Sequence, residues 1–325
     1  MMNKEEFIQL LQDKKYKAAQ NILSEMNDMD TAAFLEELDA KECALAFRLI
    51  SKEKAADVFS CMSSKMQTYL VDMFSETELK ELLEDLYMDD TVDMLEDLPA
   101  NLVTRILKNL DSTKRSTINK LLNYPEDSAG SIMTTEYVTL KKTMTVKQAM
   151  NHIKDIGIHK ETIYTCYVTE NKKLIGIVTA KSLMTSDDNE NITNLMNTNI
   201  ISVHTHTDQE QVAHLFRKYD LIAMPVLDSD GCLVGIVTFD DAMDVMVDET
   251  NEDISRMAAM EPNEKTYFEN TVWQQAKHRI LWLLVLMFSA TITGSIITRY
   301  ENAFSAVPLL VSFIPMLMDT GGNCG

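Results

Sequence analysis

No Cys-x-x-Cys pair occurs in this sequence. Cys43, Cys61, Cys166, Cys232 and Cys324 are scattered through 325 residues, which argues against a disulfide framework or a structural zinc site and fits a reducing cytosol. Basic charge is scarce too: 30 Lys plus Arg stand against 50 Asp plus Glu, a formal net charge of -20. Such a chain repels phosphate backbones, so nucleic acid is not an expected partner and cations are the natural counterpart. Glu5 and Glu6 stand where a secretory signal needs a basic start, so the segments before any membrane span are expected to stay inside the cell. There is no P-loop, no G-x-G-x-x-G and no local Ser-His-Asp or Cys-His signature, and no enzyme is expected. His204 and His206 alternate, but no Cys or Glu stands beside them at ligand spacing.

Glycine is absent from Glu5 to Leu122, where apolar residues recur at helical spacing among the helix formers Leu, Met, Glu and Lys. An all-helical domain is expected. Three stretches share a template (Phe34-Leu35, Leu38, Ile50; Val58-Phe59, Met62, Phe74; Met94-Leu95, Leu98, Leu110), the pattern of short helix pairs stacked as a superhelix. Between Asp72 and Asp97 eleven acidic residues accompany a single base, Lys80, so one face of this domain, around Asp85, Asp89, Asp90 and Asp93, is strongly negative.

Residues 132–250 alternate β-branched runs with helical stretches, an α/β pattern. The segment is internally repeated. Leu174-Ile175-Gly176-Ile177-Val178-Thr179 returns as Leu233-Val234-Gly235-Ile236-Val237-Thr238, and Ile132-Met133-Thr134 returns as Leu195-Met196-Asn197. Capping boxes are expected at Thr145-x-x-Gln148 and Thr207-x-x-Glu210. From Asp240 to Asp253 there are seven carboxylates in fourteen positions and no Lys or Arg. Asp241, Asp244, Asp248 and Glu252 fall on one helical face, with Ala242, Val245 and Met246 turned inward. Such like charges destabilise a bare helix by a few tenths of a kcal/mol per pair, and a hard, oxygen-loving dication such as Mg2+ would offset the repulsion. No EF-hand loop is present, because the central Gly is missing.

Ile280 to Thr298 contains no Asp, Glu, Lys or Arg. As a helix it spans roughly 28 Å, close to a hydrocarbon core of about 30 Å. Trp282 and Tyr300 stand near its ends, and Lys277, His278 and Arg279 precede it, which orients its N-terminal side to the cytosol. A second uncharged stretch, Ala303 to Met318, holds Pro308 and Pro315 and runs into Asp319-Thr320-Gly321-Gly322-Asn323.

The repeated G-I-V-T after an apolar strand resembles a pair of CBS domains. That likeness implies an adenosine-nucleotide cleft in which an acidic residue three positions beyond the strand's Thr holds the ribose; copy two offers Asp241 and copy one Ser182, leaving at most one well-formed site. Tyr124-Pro125-Glu126-Asp127-Ser128-Ala129-Gly130-x-x-Met133-Thr134 and Pro315-x-x-x-Asp319-Thr320-Gly321-Gly322-Asn323 extend the likeness to the whole chain, which resembles the MgtE magnesium transporters. The resemblance implies an all-α superhelical domain at 1–125, CBS repeats at 126–190 and 191–253, a connecting plug helix at 254–276, and at 277–325 a first transmembrane helix with the start of a second. Against that family pattern, the sequence to Gly325 lacks the remaining transmembrane helices. It also implies a homodimer in the inner membrane whose cytoplasmic domains sense Mg2+ and close the pore. The expected metal-binding residues are Asp90, Asp93, Glu210, Asp220, Asp241, Asp244, Glu249, Glu252 and Asp253; Gly321, Gly322 and Asn323 are expected to line the pore, and ATP is a candidate second ligand at Asp241. The alternative expectation is a membrane-anchored CBS nucleotide sensor without transport activity.

Overall fold

The computed structural model describes residues 4–257 and 272–299, with 313, 315–317 and 320–321. The chain divides into two compact units, Met1–Met246 and Val247–Gly325. The first unit opens with short helices: α1 (Lys4–Gln12), α2 (Tyr16–Glu25), α3 (Asp28–Glu36), α4 (Ala40–Phe47), α5 (Lys52–Ser60), α6 (Ser64–Met73), α7 (Glu76–Asp85), α8 (Met88–Asp97), α9 (Ala100–Asn109) and α10 (Ser112–Leu121).

Their brevity is written in the sequence. Every twelfth residue from Met26 to Leu122 is apolar, and at Asn27, Asp39, Ser51, Ser63, Ser75 and Asp111 the next residue is a good N-cap. Asn27, Ser75 and Asp111 accept hydrogen bonds from amides of the turn they start. The apolar partner goes inside: Leu38, Met62, Phe74, Leu86, Leu98 and Leu110 are all buried, each contributing about 1.5–3 kcal/mol. Helices then stack two apart, α3 on α5, α5 on α7 and α7 on α9, with α4 on α6, α6 on α8 and α8 on α10. The threefold template is thus a sampling of a finer period, one helix per joint.

Two α/β repeats follow. The first holds β1 (Thr139–Lys141), α11 (Val146–Ile156), β2 (Thr165–Glu170), β3 (Lys173–Thr179) and α12 (Ala180–Thr185); the second holds α13 (Ile192–Leu195), β4 (Val203–His204), α14 (Gln209–Tyr219), β5 (Ala223–Leu227) and β6 (Leu233–Thr238), and leads into α15 (Phe239–Met257). In each sheet the first strand runs parallel to the second and the third antiparallel to it. The repeats exchange edges: Thr134 bridges to Ile236 on β6, and Asn197 bridges to Ile177 on β3. This explains the paired I-M-T and L-M-N motifs and the glycine in each G-I-V-T. A Cβ on Gly235 would lie 2.5 Å from Met133 Sδ, and one on Gly176 would lie 2.8 Å from Met196 Sδ. Only glycine lets the exchanged methionine lie flat on the sheet.

One cap differs from expectation. Thr145 and Gln148 form their capping box, but α14 is capped by Asp208, whose carboxylate accepts the Glu210 N–H at 2.9 Å. Thr207 Oγ1 instead accepts the His204 N–H at 3.1 Å. Two adjacent residues were both competent caps, and the tight turn after β4 engaged the first of them.

A single apolar core runs from Phe7 through the helical array into Ala129, Met133, Val203, Phe216, Val237 and Ala242, so the helical domain and the second repeat are packed as one body. Gly130 sits at their joint: a Cβ there would meet Tyr124 Cγ at 2.6 Å and Thr205 O at 2.8 Å. In the second unit, α16 (Val272–Arg299) is continuous through the boundary expected at 276, and its stretch Trp282–Arg299 is long and apolar enough to cross a membrane. Residues 258–271 of the expected plug helix, Tyr300, most of the second apolar stretch, and Gly322 and Asn323 of the expected pore lining lie outside the described residues. Gly321 is helical.

Candidate functional site

Four segments of the first unit bring carboxylates together. The first turn of α8 supplies Asp89 and Asp90, with Asp93 one turn on; the apolar stripe Met88, Val92 and Leu95 is buried and fixes which way this helix faces. From the second repeat, β6 ends at Thr238, whose hydroxyl donates to Asp241 Oδ2 at 2.6 Å, with the Thr238 N–H at 3.4 Å from the same oxygen. The first repeat supplies the rest. Thr134 exchanges backbone hydrogen bonds with Ile236 at 2.8 and 2.9 Å, and its hydroxyl donates to Glu136 Oε2 at 2.8 Å. The Glu161 N–H in turn donates to Glu136 O at 2.9 Å.

The electrostatics are one-sided. Asp89 is only 9% exposed, and burial, followed by the charges of Asp241, Asp90 and Glu161, pushes its carboxyl well above the usual range while the Asp90 amide pulls the other way. Burial and then Asp241 push Asp90 to about 7, Asp93 to about 7 and Glu161 to about 7. Asp93 keeps an exposed edge, where water screens it more than its neighbours. Asp241 itself is pushed to about 6 by burial and Asp240, against the opposing hydrogen bonds from Thr238. The charges acting most strongly on each are other carboxylates. Two oxygens here, Asp89 Oδ1 and Glu161 Oε2, are buried without a hydrogen-bond partner.

Beside the nest lies a cleft of ≈ 180 Å³ lined by Ser60, Ser64, Gln67, Asp90, Asp93 and Asp97 together with Met62 and Met94. Among the described residues no three His, Cys, Asp or Glu side chains are placed to hold one metal ion directly. A hydrated dication fits the donor set nonetheless: it is all oxygen, and Mg2+ keeps several waters while taking only one or two carboxylates.

Of the sequence-predicted metal residues, Asp90, Asp93 and Asp241 come together. Asp244, exposed on the next turn of α15, adds to the charge on Asp241. Glu210 and Asp220 are exposed at opposite ends of α14, the latter a left-handed C-cap with φ 51°; neither is among the charges acting most strongly on Asp90, Asp93 or Asp241. Glu249, Glu252 and Asp253 lie on the part of α15 in the second unit, where Glu252 pairs with Arg256. The motif reading missed Glu136 and Glu161. Glu136 follows the exchanged I-M-T by two residues, a signal visible once the edge exchange is known; Glu161 belongs to no periodic pattern.

Comparison with known proteins adds the following. A family model of the MgtE intracellular N domain matches residues 26–127, and the CBS domain model matches 129–188 and 192–248. Magnesium transporter MgtE of Thermus thermophilus is 34% identical over 320 residues, covering 97% of this chain and 71% of that protein. Its counterpart in Bacillus subtilis is 31% identical over 317 residues, covering 97% and 70%. Among solved structures, the cytosolic domain of the Mg2+ channel MgtE in complex with ATP superposes with a TM-score of 0.71 at 34% identity, covering 75% of this chain and all of that one.

Proposed function

Because this chain belongs to the MgtE family of magnesium transporters, we propose that it serves Mg2+ movement across the cell membrane and that its helical domain and CBS pair, in the cytoplasm, are the sensor that closes the pore. The observation that carries this reading is the nest of Asp89, Asp90, Asp93, Glu161 and Asp241: carboxylates from separate domains, shifted upward by burial and then by neighbouring carboxylates, with oxygens of Asp89 and Glu161 left unpartnered. Mg2+ entering the nest cancels the repulsion. Two unit charges 4 Å apart repel by about 4 kcal/mol at an effective dielectric near 20, before screening. Moving a two-state gate from mostly open to mostly closed takes about 5.5 kcal/mol, so a few bridged pairs suffice. The signal leaves through α15, which carries Asp241 near its start and runs on to Met257; its far end leads to the membrane segment, so that high internal Mg2+ lowers uptake. Asp244, Glu249, Glu252 and Asp253 extend the same cation-attracting helix, and a homodimer in the bilayer is the working assembly.

ATP is a second ligand of this sensor in our reading, supported by the relative solved with ATP and by the G-I-V-T strand that precedes Asp241. The field around Asp241 favours a cation over a phosphate, so ATP there requires Mg2+. Hydrogen exchange on the full chain in lipid nanodiscs tests both readings. Millimolar Mg2+ without nucleotide is expected to protect α8; protection by ATP alone, with Mg2+ inert, would overturn the magnesium reading in favour of the nucleotide one.

A further inference from the structure

We propose that a cleft lined from α5 and α7 of the helical array binds a small organic cation, an ammonium carrying an apolar group, and so gives the array an input separate from the Mg2+ nest.

The cleft has a volume of ≈ 250 Å³, a little below the roughly 300–1,000 Å³ of sites for drug-sized ligands, so its occupant is small. Its floor is apolar. Phe47, Ala56, Phe74 and Leu82 line it, and the two phenyl rings lie 5.5 Å apart, tilted by 39°. A hydrated metal ion gains nothing from such a floor, whereas a ligand with a hydrocarbon part does.

The rim decides the sign of the charge. Arg48 and Lys52 stand there against Glu78, Glu81 and Asp85, and both bases are engaged. Arg48 Nε donates to Glu78 Oε1 at 2.6 Å and its Nη2 to Met73 O at 3.3 Å, while Lys52 Nζ lies 2.9 Å from Glu81 Oε2. Asp85 makes no ion pair among the described residues. Lys52 alone meets the surplus: its hydrogen bond to Glu81 and then the charges of Glu81, Asp85 and Glu84 hold its ammonium above the usual range. An incoming anion would have to break a pair already made and face the spare carboxylate. An ammonium finds Asp85 open, over an aromatic floor that already accommodates one cation, the Arg48 guanidinium 6.0 Å from the Phe74 centroid. None of the nest carboxylates lines this cleft, and Asp85 is not among the charges acting most strongly on Asp89, Asp90 or Asp93. Because α7 stacks on both α5 and α9, a ligand touching α5 and α7 braces two layers of the superhelix directly before α8.

The probe is phenethylammonium, with 3-phenylpropionate as its anionic counterpart, titrated onto the full chain in nanodiscs at a fixed Mg2+ concentration and followed by hydrogen exchange. Phenethylammonium is expected to protect α5 and α7 saturably, and 3-phenylpropionate is not. Asp85→Asn should weaken the binding roughly tenfold, Asp85→Glu should restore most of it, and Lys52→Gln, which frees Glu81, should tighten it. Both positions are exposed, so these variants keep the fold. A preference for 3-phenylpropionate that Lys52→Gln weakens would overturn the proposal in favour of an anion site. Absence of saturable protection by either probe, or undiminished binding by Asp85→Asn, would overturn it outright. The magnesium reading is untouched by these outcomes, since it is read on α8.

Discussion

Glu78 and Asp90 are carboxylates of the same helical domain, and their surroundings drive them in opposite directions. Glu78 completes a capping box with Ser75 and accepts from Arg48 Nε at 2.6 Å, so the guanidinium and the Ser75 amide pull its carboxyl down to about 2. Asp90 on the neighbouring helix has burial and further carboxylates around it and is pushed up to about 7. Both faces are acidic by composition. What separates them is whether the array supplies the countercharge itself, with Arg48 and Arg105 on one side, or leaves it to be supplied from solution.

The largest effect is expected from making the nest supply its own countercharge. Asp241→Lys places an ammonium among Asp89, Asp90 and Asp93, and the Mg2+ needed to protect α8 should fall at least about tenfold, or the dependence vanish; hydrogen exchange across a Mg2+ titration reads this directly. An unchanged midpoint would mean that Asp241 does not face these residues in solution.

Next comes pH. Asp90 and Glu161 titrate near 7 in the folded chain against about 4 in the unfolded one. The folded form therefore binds more protons between those values, and its stability is complete below about 4 and is lost as pH rises through about 7. Glu78 has the opposite sign: its contribution is present above about 4 and is lost as pH falls towards 2. In chelator the melting temperature should thus be higher at pH 6 than at pH 8, and saturating Mg2+ should flatten that slope; a slope unaffected by Mg2+ would detach the cation from the nest.

The smallest effect sharpens the contrast. Arg48→Ala removes a partly exposed ion pair, costing about 0.2–1 kcal/mol, plus the packing of its guanidinium 6.0 Å from the Phe74 ring centroid. Denaturant midpoints should record that loss, and the Mg2+ midpoint should stay where it is.

Much of this was legible in the residues. The helical domain announced itself through periodicity and missing glycine, and the repeats through G-I-V-T, because a methionine lying on a strand tolerates only glycine beneath it and so leaves the same letters twice. The superhelical period was read as three separate pairs, at six of its nine joint positions, because those positions accept Met, Leu, Ile or Phe equally well. Thr207 was assigned the cap that Asp208 holds, since two competent side chains stood next to each other and only the turn after β4 decides between them. Glu161 was invisible for a different reason. Its role comes from a backbone bond to Glu136 and a bridge between repeats, neither of which constrains the neighbouring letters.

The edge exchange between the repeats has a consequence for how the tandem can come apart. Each sheet borrows residues from its twin, so neither repeat has a complete surface of its own to fall back on. A blow to Met133 is felt in the sheet whose last strand leads into Asp241, and one to Met196 in the sheet on whose flank Glu161 is carried. The pair behaves as a clasp with two halves of one buckle: it holds or releases as a whole, and any reader of cellular ions built upon it inherits that all-or-none character.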